Sequence, residues 1–125
     1  MKKYLPFLLL GTLIIILGGL RFFSKEKPTE DSLPLPTSFE YFWGDGCPHC
    51  TVVEEFYSTW EERDKLNINK MEVWANPEYA KVLQQRAEYC GIRPSEIGVP
   101  FLFTPDGKCL SGDEPIIDYF KNLDI

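Results

Sequence analysis

Hydrophobic and polar positions divide the chain into three parts, and the first is an apolar run near the N-terminus. Residues 5–20 contain no charged side chain and consist mostly of Leu, Ile, Phe and Gly. The stretch of residues 4–23 matches the roughly 20 residues that a helix needs to cross a bilayer. We therefore expect residues 1–23 to form a transmembrane helix that anchors the chain, with residues 4–23 in the lipid bilayer. A cleaved signal peptide is the alternative, but the run is long for one and no A-x-A-like cleavage site follows it.

The second part is polar, and the third shows the alternation of a folded domain. Residues 24–37 hold three prolines and few large apolar side chains, which is typical of an extended linker. Residues 38–125 are enough for one domain with a modest core. We expect this domain to begin after the linker, at residue 38.

Periodicity within the domain predicts the element order β-α-β-α-β-β-α. Apolar runs and alternating positions indicate strands, whereas apolar residues recurring every three or four positions indicate helices. The predicted strands are 39–43, 70–74, 99–103 and 108–110, and the predicted helices are 51–64, 77–90 and a last one capped by Asp113 or Glu114. In the second helix, Tyr79, Val82 or Leu83, Ala87 and Cys90 form the predicted inner face.

The element order also predicts the layers of the fold. A βαβ beginning implies two parallel strands joined by a right-handed crossover. The turn Pro105-Asp106-Gly107 indicates a hairpin, which adds antiparallel pairing. We expect an α/β fold with a mixed four-stranded sheet and helices on both faces.

The charge of the chain limits the possible partners. Of its 13 Lys and Arg and 19 Asp and Glu side chains, five basic and three acidic ones precede residue 38, so the domain has a net charge of −8. Nucleic-acid binding calls for a basic patch, so we expect no nucleic-acid partner. No Gly-rich dinucleotide loop is present, and we expect no cofactor.

Two cysteines lie between the first strand and the first helix. Cys47-Pro48-His49-Cys50 is a Cys-x-x-Cys motif in the position typical of a redox-active dithiol. The free amide groups and the dipole at a helix N-terminus favour a thiolate there. Protonated His49 would favour it further. We predict that Cys47 is the exposed nucleophile and Cys50 the resolving thiol.

The other two cysteines leave alternatives open. Cys90 and Cys109 can be free, buried core residues or can form a structural disulfide if the domain lies outside the cytosol. A zinc site of all four cysteines is a further alternative. Because Cys90 and Cys109 are isolated and 19 residues apart, they lack the paired spacing of structural zinc sites, and we expect no metal.

The motifs of residues 39–123 resemble those of the thioredoxin superfamily. The shared features are Phe42-Trp43-x-x-x-Cys-x-x-Cys before a helix, Gly98-Val99-Pro100 before a strand, and the element order. The resemblance implies a thioredoxin-like fold in which Pro100 is cis and lies beside the dithiol. It also implies that the backbone of Val99 pairs with an extended client peptide.

Three departures bear on the type of chemistry. Tyr41 stands six residues before Cys47, where thioredoxins carry a buried acid, which weakens the interpretation as a reductase. The large helical insertion of Dsb-type oxidases does not fit between Trp74 and Pro100, although the Pro48-His49 dipeptide resembles theirs. The N-terminal strand and helix of full thioredoxins are also missing, so the size is closer to that of glutaredoxin.

Together, anchor, motif and resemblance imply a membrane-anchored thiol–disulfide oxidoreductase. Disulfides persist outside the cytosol, so we expect the domain on the extracytoplasmic face of a bacterial-type cell membrane. Its expected partners are protein thiols and disulfides and a membrane redox protein that recycles it. We favour an oxidase or isomerase, and a dedicated reductant for one client, in haem or metal-site maturation, remains the alternative.

Overall fold

The computed structural model describes residues 33–125. The expected membrane anchor (residues 1–23) and most of the expected linker lie outside the described residues. Within residues 33–125, no helix combines the length and the apolar character that crossing a membrane requires.

The predicted element order is confirmed, with shifts at the element ends. The elements are β1 (Phe39–Trp43), α1 (Pro48–Thr59), β2 (Ile68–Glu72), α2 (Pro77–Tyr89), β3 (Phe101–Phe103), β4 (Cys109–Ser111) and α3 (Asp113–Lys121). Two short 3-10 helices, Glu61–Lys65 and Pro94–Glu96, lie in the connections after α1 and α2.

The largest shifts concern α1, while β2 lies two residues earlier and β3 begins two residues later than predicted. Helix α1 begins at Pro48, three residues before the predicted start, because proline suits the first turn and the Cys47 sulfur accepts the Cys50 amide as an N-cap. It ends at Thr59, so the prediction of one helix to residue 64 was wrong. The N-cap of helix α3 is Gly112, which makes no side-chain cap, and Asp113 and Glu114 lie in the first turn; the predicted cap by Asp113 or Glu114 was therefore wrong.

The four strands form one mixed sheet in the order β2-β1-β3-β4. Strand β1 pairs in parallel with β2, and Trp43 lies opposite Glu72. Strand β3 is antiparallel to both β1 and β4. The C-terminal ends of β1 and β2 and the N-terminal end of β3 therefore meet at one edge of the sheet.

Alternate residues of the strands build a core on each face of the sheet. One core contains α2 residues and the other contains α1 and α3 residues, so the predicted layering on both faces is confirmed. The buried members of the first are Phe42, Met71, Val73, Leu83, Ala87, Phe101 and Phe103. Those of the second are Tyr41, Val53, Leu102, Ile116 and Phe120.

A buried ion pair joins β1 to α2. Arg86 donates to both carboxylate oxygens of Glu40, at 2.7 and 3.1 Å, and both residues are less than 10% exposed. Arg86 also donates to the backbone carbonyls of Leu33 and Pro34. The end of the predicted linker therefore contacts the domain. Tyr79, predicted on the inner face of α2, is 37% exposed, and that prediction was wrong.

Candidate active site

The Cys-x-x-Cys motif lies where β1 ends and α1 begins. Cys47 and Cys50 form a disulfide, and their Cα atoms are 5.2 Å apart. Gly46 has a φ of 80°, which lets the chain turn sharply between strand and helix. The amide of Cys50 donates to the Cys47 sulfur at 3.2 Å. The motif is therefore a closed disulfide whose Cys47 sulfur receives a hydrogen bond from the first turn of the helix.

Both cysteines of the motif are buried, whereas only Cys50 was predicted to lie inward. Cys47 is 5% exposed and Cys50 is 2% exposed, so the prediction of an exposed Cys47 was wrong for the disulfide form. The segment before β3 covers it, since the Cys47 sulfur lies 3.9 Å from the carbonyl oxygen of Val99. Any reactant must therefore approach the Cys47 sulfur past this covering segment.

The covering segment contains the predicted cis proline. The Val99–Pro100 peptide bond is cis, as the resemblance implied, and Pro100 is fully buried. The amide of Gly112 donates to the Pro100 carbonyl at 2.9 Å. Residues 99–100 and the beginning of α3 thus form a wall beside the disulfide.

His49 pairs with an acid that the sequence did not place near it. His49 Nδ1 lies 3.2 Å from Asp113 Oδ2, and the two side chains are 72% and 22% exposed. The hydrogen bond to His49 holds the pKa of Asp113 below its ordinary value. The His49 imidazole is therefore paired with a carboxylate beside the motif.

Tyr41 lies beneath the motif in a neutral form. Its ring is buried, and its hydroxyl donates to the carbonyl oxygen of Cys50 at 3.5 Å. Burial, and then the nearby Glu54 carboxylate, raise the pKa of Tyr41 well above its ordinary value. The position where the resemblance placed a buried acid holds a hydroxyl that stays protonated at physiological pH.

Glu72, at the end of β2, fixes the loop before the motif. Its carboxylate accepts the amides of Asp45, Trp74 and Ala75, at 3.2, 3.0 and 2.8 Å. The bond from Ala75 is the main reason that the pKa of Glu72 falls below its ordinary value. This contact was not predicted from the sequence, although the parallel pairing of β1 with β2 puts residues 43 and 72 side by side.

The Trp74 ring completes this side of the site. It packs against Gly44, where a Cβ atom would overlap the indole. The Gly44 carbonyl accepts the Cys47 amide at 3.1 Å, so the indole borders the loop that carries the disulfide. Trp74 nevertheless remains 61% exposed.

The second pair of cysteines lies at the other end of the sheet. Cys90 and Cys109 form a disulfide with Cα atoms 6.3 Å apart, which resolves the open choice in favour of pairing. Cys109 is opposite Phe103, which in turn is opposite Glu40 near the beginning of β1. The four cysteines thus form two separate pairs. Among residues 33–125, no three His, Cys, Asp or Glu side chains are grouped as metal ligands.

The site therefore combines a disulfide at a helix N-terminus, a cis-proline wall, a His–Asp pair and an exposed indole. Comparisons of the chain with protein-family models, with curated proteins and with solved structures found no match. What the site can do must follow from its own geometry.

Proposed function

We propose that this chain is a thioredoxin-like thiol–disulfide oxidoreductase that exchanges disulfides with protein cysteines through Cys47 and Cys50. One observation carries the proposal. The Cys47–Cys50 disulfide lies at the N-terminus of α1, with the Cys50 amide 3.2 Å from the Cys47 sulfur. Hydrogen-bond donors and the helix dipole there stabilise a thiolate, which is both the nucleophile and the leaving group of disulfide exchange.

The oxidising reaction has two steps. A client thiolate attacks the Cys47 sulfur, the Cys47–Cys50 bond breaks, and its electron pair leaves on Cys50, which takes up a proton. A second client thiolate then attacks the client sulfur of the mixed disulfide and releases Cys47. Two electrons pass from the client dithiol to the cysteine pair, and the client gains a disulfide. The reducing reaction is the reverse.

The direction that we favour is oxidation or isomerisation. Stabilising the Cys47 thiolate stabilises the reduced pair, which makes the disulfide form more oxidising. Beneath the motif, the hydroxyl of Tyr41 replaces a carboxylate that could accept the proton of Cys50 during reduction. Pro48 and His49 in the motif support the same direction.

The proposed location is the extracytoplasmic face of a membrane. It rests on the apolar run of residues 4–23, which is long enough for an anchor. The Cys90–Cys109 pair agrees with an oxidising compartment, because structural disulfides are rare in the cytosol. A membrane redox partner would then restore the Cys47–Cys50 disulfide after each cycle.

Oxidation of a dithiol peptide by the full chain in detergent tests the proposal. We expect the oxidised protein to convert the peptide to its disulfide, and Cys47→Ala to abolish this conversion. The matched control, Cys90→Ala with Cys109→Ala, removes the other disulfide and should keep the exchange. If folded wild-type protein neither oxidises the dithiol peptide nor, once reduced, cleaves the peptide disulfide, the proposed function is wrong. A potential for the pair near thioredoxin's, about −270 mV, would overturn only the favoured direction.

A further inference from the structure

Trp74 is the most exposed large apolar side chain in the described part of the chain, at 61%. The disulfide chemistry does not use it. Large aromatic side chains contribute much of the binding energy at protein interfaces, where tryptophan is enriched. An exposed indole beside the disulfide is therefore a candidate binding site for a partner protein.

The indole is held in place before any partner arrives. Its ring rests on Gly44, where a Cβ atom would overlap it. The backbone amides of Trp74 and Ala75 both donate to the Glu72 carboxylate, which also holds the Asp45 amide. A partner that binds this face therefore has little ordering of the protein to offset.

The indole also lies close to where a client must react. Gly44, beneath the ring, accepts the Cys47 amide through its carbonyl. When a client cysteine forms a mixed disulfide with Cys47, its sequence neighbours come close to this loop. One of them can lie on the face of Trp74.

The charged side chains around the indole determine which type of client residue, next to the reacting cysteine, can bind to the ring. The chain segments that border the site are residues 44–50, 72–80, 97–100 and 111–115, and they contain neither Lys nor Arg; Arg93, which precedes the third of these segments, is paired with Glu96. Apart from His49, their charged side chains are all carboxylates. Two of them lie next to Trp74: Glu72 accepts its backbone amide, and Asp45 is held by the same Glu72 carboxylate. A cation over an indole face is attracted by the ring, and nearby carboxylates add to that attraction.

We propose that Trp74 and the carboxylates beside it select client proteins that carry a basic residue, arginine above all, next to the reacting cysteine. Arginine fits best because its planar guanidinium stacks on aromatic faces. The inference rests on the proposed function, since it names the client of the same site. Trp74 acts as a specificity determinant and takes no part in the bond exchange.

Three dithiol peptides that differ only in the residue beside the reacting cysteine, Arg, Leu or Glu, test the inference. The second-order rate constant of each with the oxidised full chain is divided by its rate with a small-molecule disulfide, which corrects for the reactivity of the peptide thiol. We expect the order Arg, Leu, Glu, with the preference for Arg falling as salt rises. Trp74→Ala should slow the Arg peptide roughly two- to fivefold relative to the Leu peptide.

Two further variants make the experiment decisive. Tyr89→Ala removes another exposed aromatic ring that packs on Phe103, at the other end of the sheet, and should leave the Arg preference intact. Asp45→Asn removes an exposed carboxylate beside the indole and should reduce the preference even if Trp74→Ala does not fold. A wild type without Arg preference, or variants at positions 45 and 74 that both keep it, would overturn the inference. If wild type exchanges with no thiol at all, the proposed function fails instead.

Discussion

The two disulfides bridge similar Cα–Cα distances, but they lie at opposite ends of the sheet and their surroundings differ. Cys47 and Cys50 are three residues apart at the beginning of a helix, where the Cys50 amide donates to the Cys47 sulfur. Cys90 and Cys109 are 19 residues apart and join the end of α2 to the edge strand β4. The first surroundings stabilise the thiolate that reduction produces, whereas the second bond closes a long loop and restricts the unfolded chain. In the proposed function, the surroundings of a disulfide, more than the bond itself, therefore separate the reactive pair from the structural one.

The largest expected effect concerns the buried ion pair at the end of the sheet that holds the second disulfide. Arg86→Met would leave the buried Glu40 carboxylate without its partner, and such a loss typically costs about 3–5 kcal/mol. We expect urea unfolding, followed by tryptophan fluorescence, to show this loss while the remaining folded protein still exchanges disulfides.

The double variant Glu40→Leu with Arg86→Met serves as the control. Removing both charges leaves no unpaired carboxylate, so much of the lost stability should return. A double variant no more stable than Arg86→Met would contradict the role assigned to the ion pair.

Removal of the second disulfide should have the next largest effect. For a loop of 19 residues, Cys90→Ala with Cys109→Ala should lower the free energy of unfolding by about 3 kcal/mol. Because these sulfurs lie away from the site, the exchange rate per folded molecule should stay at the wild-type value. A loss of exchange without a loss of stability would reverse the roles of the two disulfides.

Gly44→Ala tests the loop beside the first disulfide. The added Cβ would overlap the Trp74 ring, so the indole must move, at an expected cost of about 1–3 kcal/mol. The variant should react normally with 2-mercaptoethanol but lose preference for the Arg peptide. Gly98→Ala is a matched control, since a Cβ there meets open space. An unchanged Arg preference in Gly44→Ala would show that the position of the ring does not matter.

The smallest expected effect is an acid transition of the loop before the motif. The pKa of Glu72 lies below its ordinary 4.5, chiefly because of the Ala75 amide. Its hydrogen bonds therefore contribute stability that is fully present above pH 4.5 and is lost as the pH falls through the lower, folded-state value.

Amide chemical shifts measured during an acid titration detect this transition. The chemical shifts of the Asp45, Trp74 and Ala75 amides should change together, with a midpoint below pH 4.5, as the Glu72 carboxylate becomes protonated. Glu72→Gln should abolish this shared transition. Separate midpoints for the three amides would mean that they do not share one carboxylate.

Sequence patterns predicted those secondary-structure elements that are determined by residues close in sequence. Strand β1 matches its predicted bounds, Phe39–Trp43, because a run of apolar residues beside a glycine turn leaves few alternatives. The beginning of α1 was missed because the Cys47 sulfur acts as its cap, which is unusual for this residue type. The burial of Arg86 was missed because its partner, Glu40, is 46 residues away.

In the candidate site, too, local features were predicted and long-range contacts were missed. The cysteine pair and Pro100 were predicted from local motifs and from the resemblance. Asp113 and Glu72 were missed because their contacts span 64 and 27 residues. The parallel pairing of β1 with β2 was predicted, however, and could have placed Glu72 and Trp74 beside the motif.

Controlled reduction of the full chain is the most direct test of the difference between the two disulfides. The protein is equilibrated in glutathione buffers of decreasing potential, free thiols are alkylated, and mass spectrometry identifies the alkylated cysteines. We predict that Cys47 and Cys50 become reduced first, while Cys90 and Cys109 stay bonded until far more reducing conditions. Reduction of both pairs at the same potential, or of Cys90 and Cys109 first, would contradict the account.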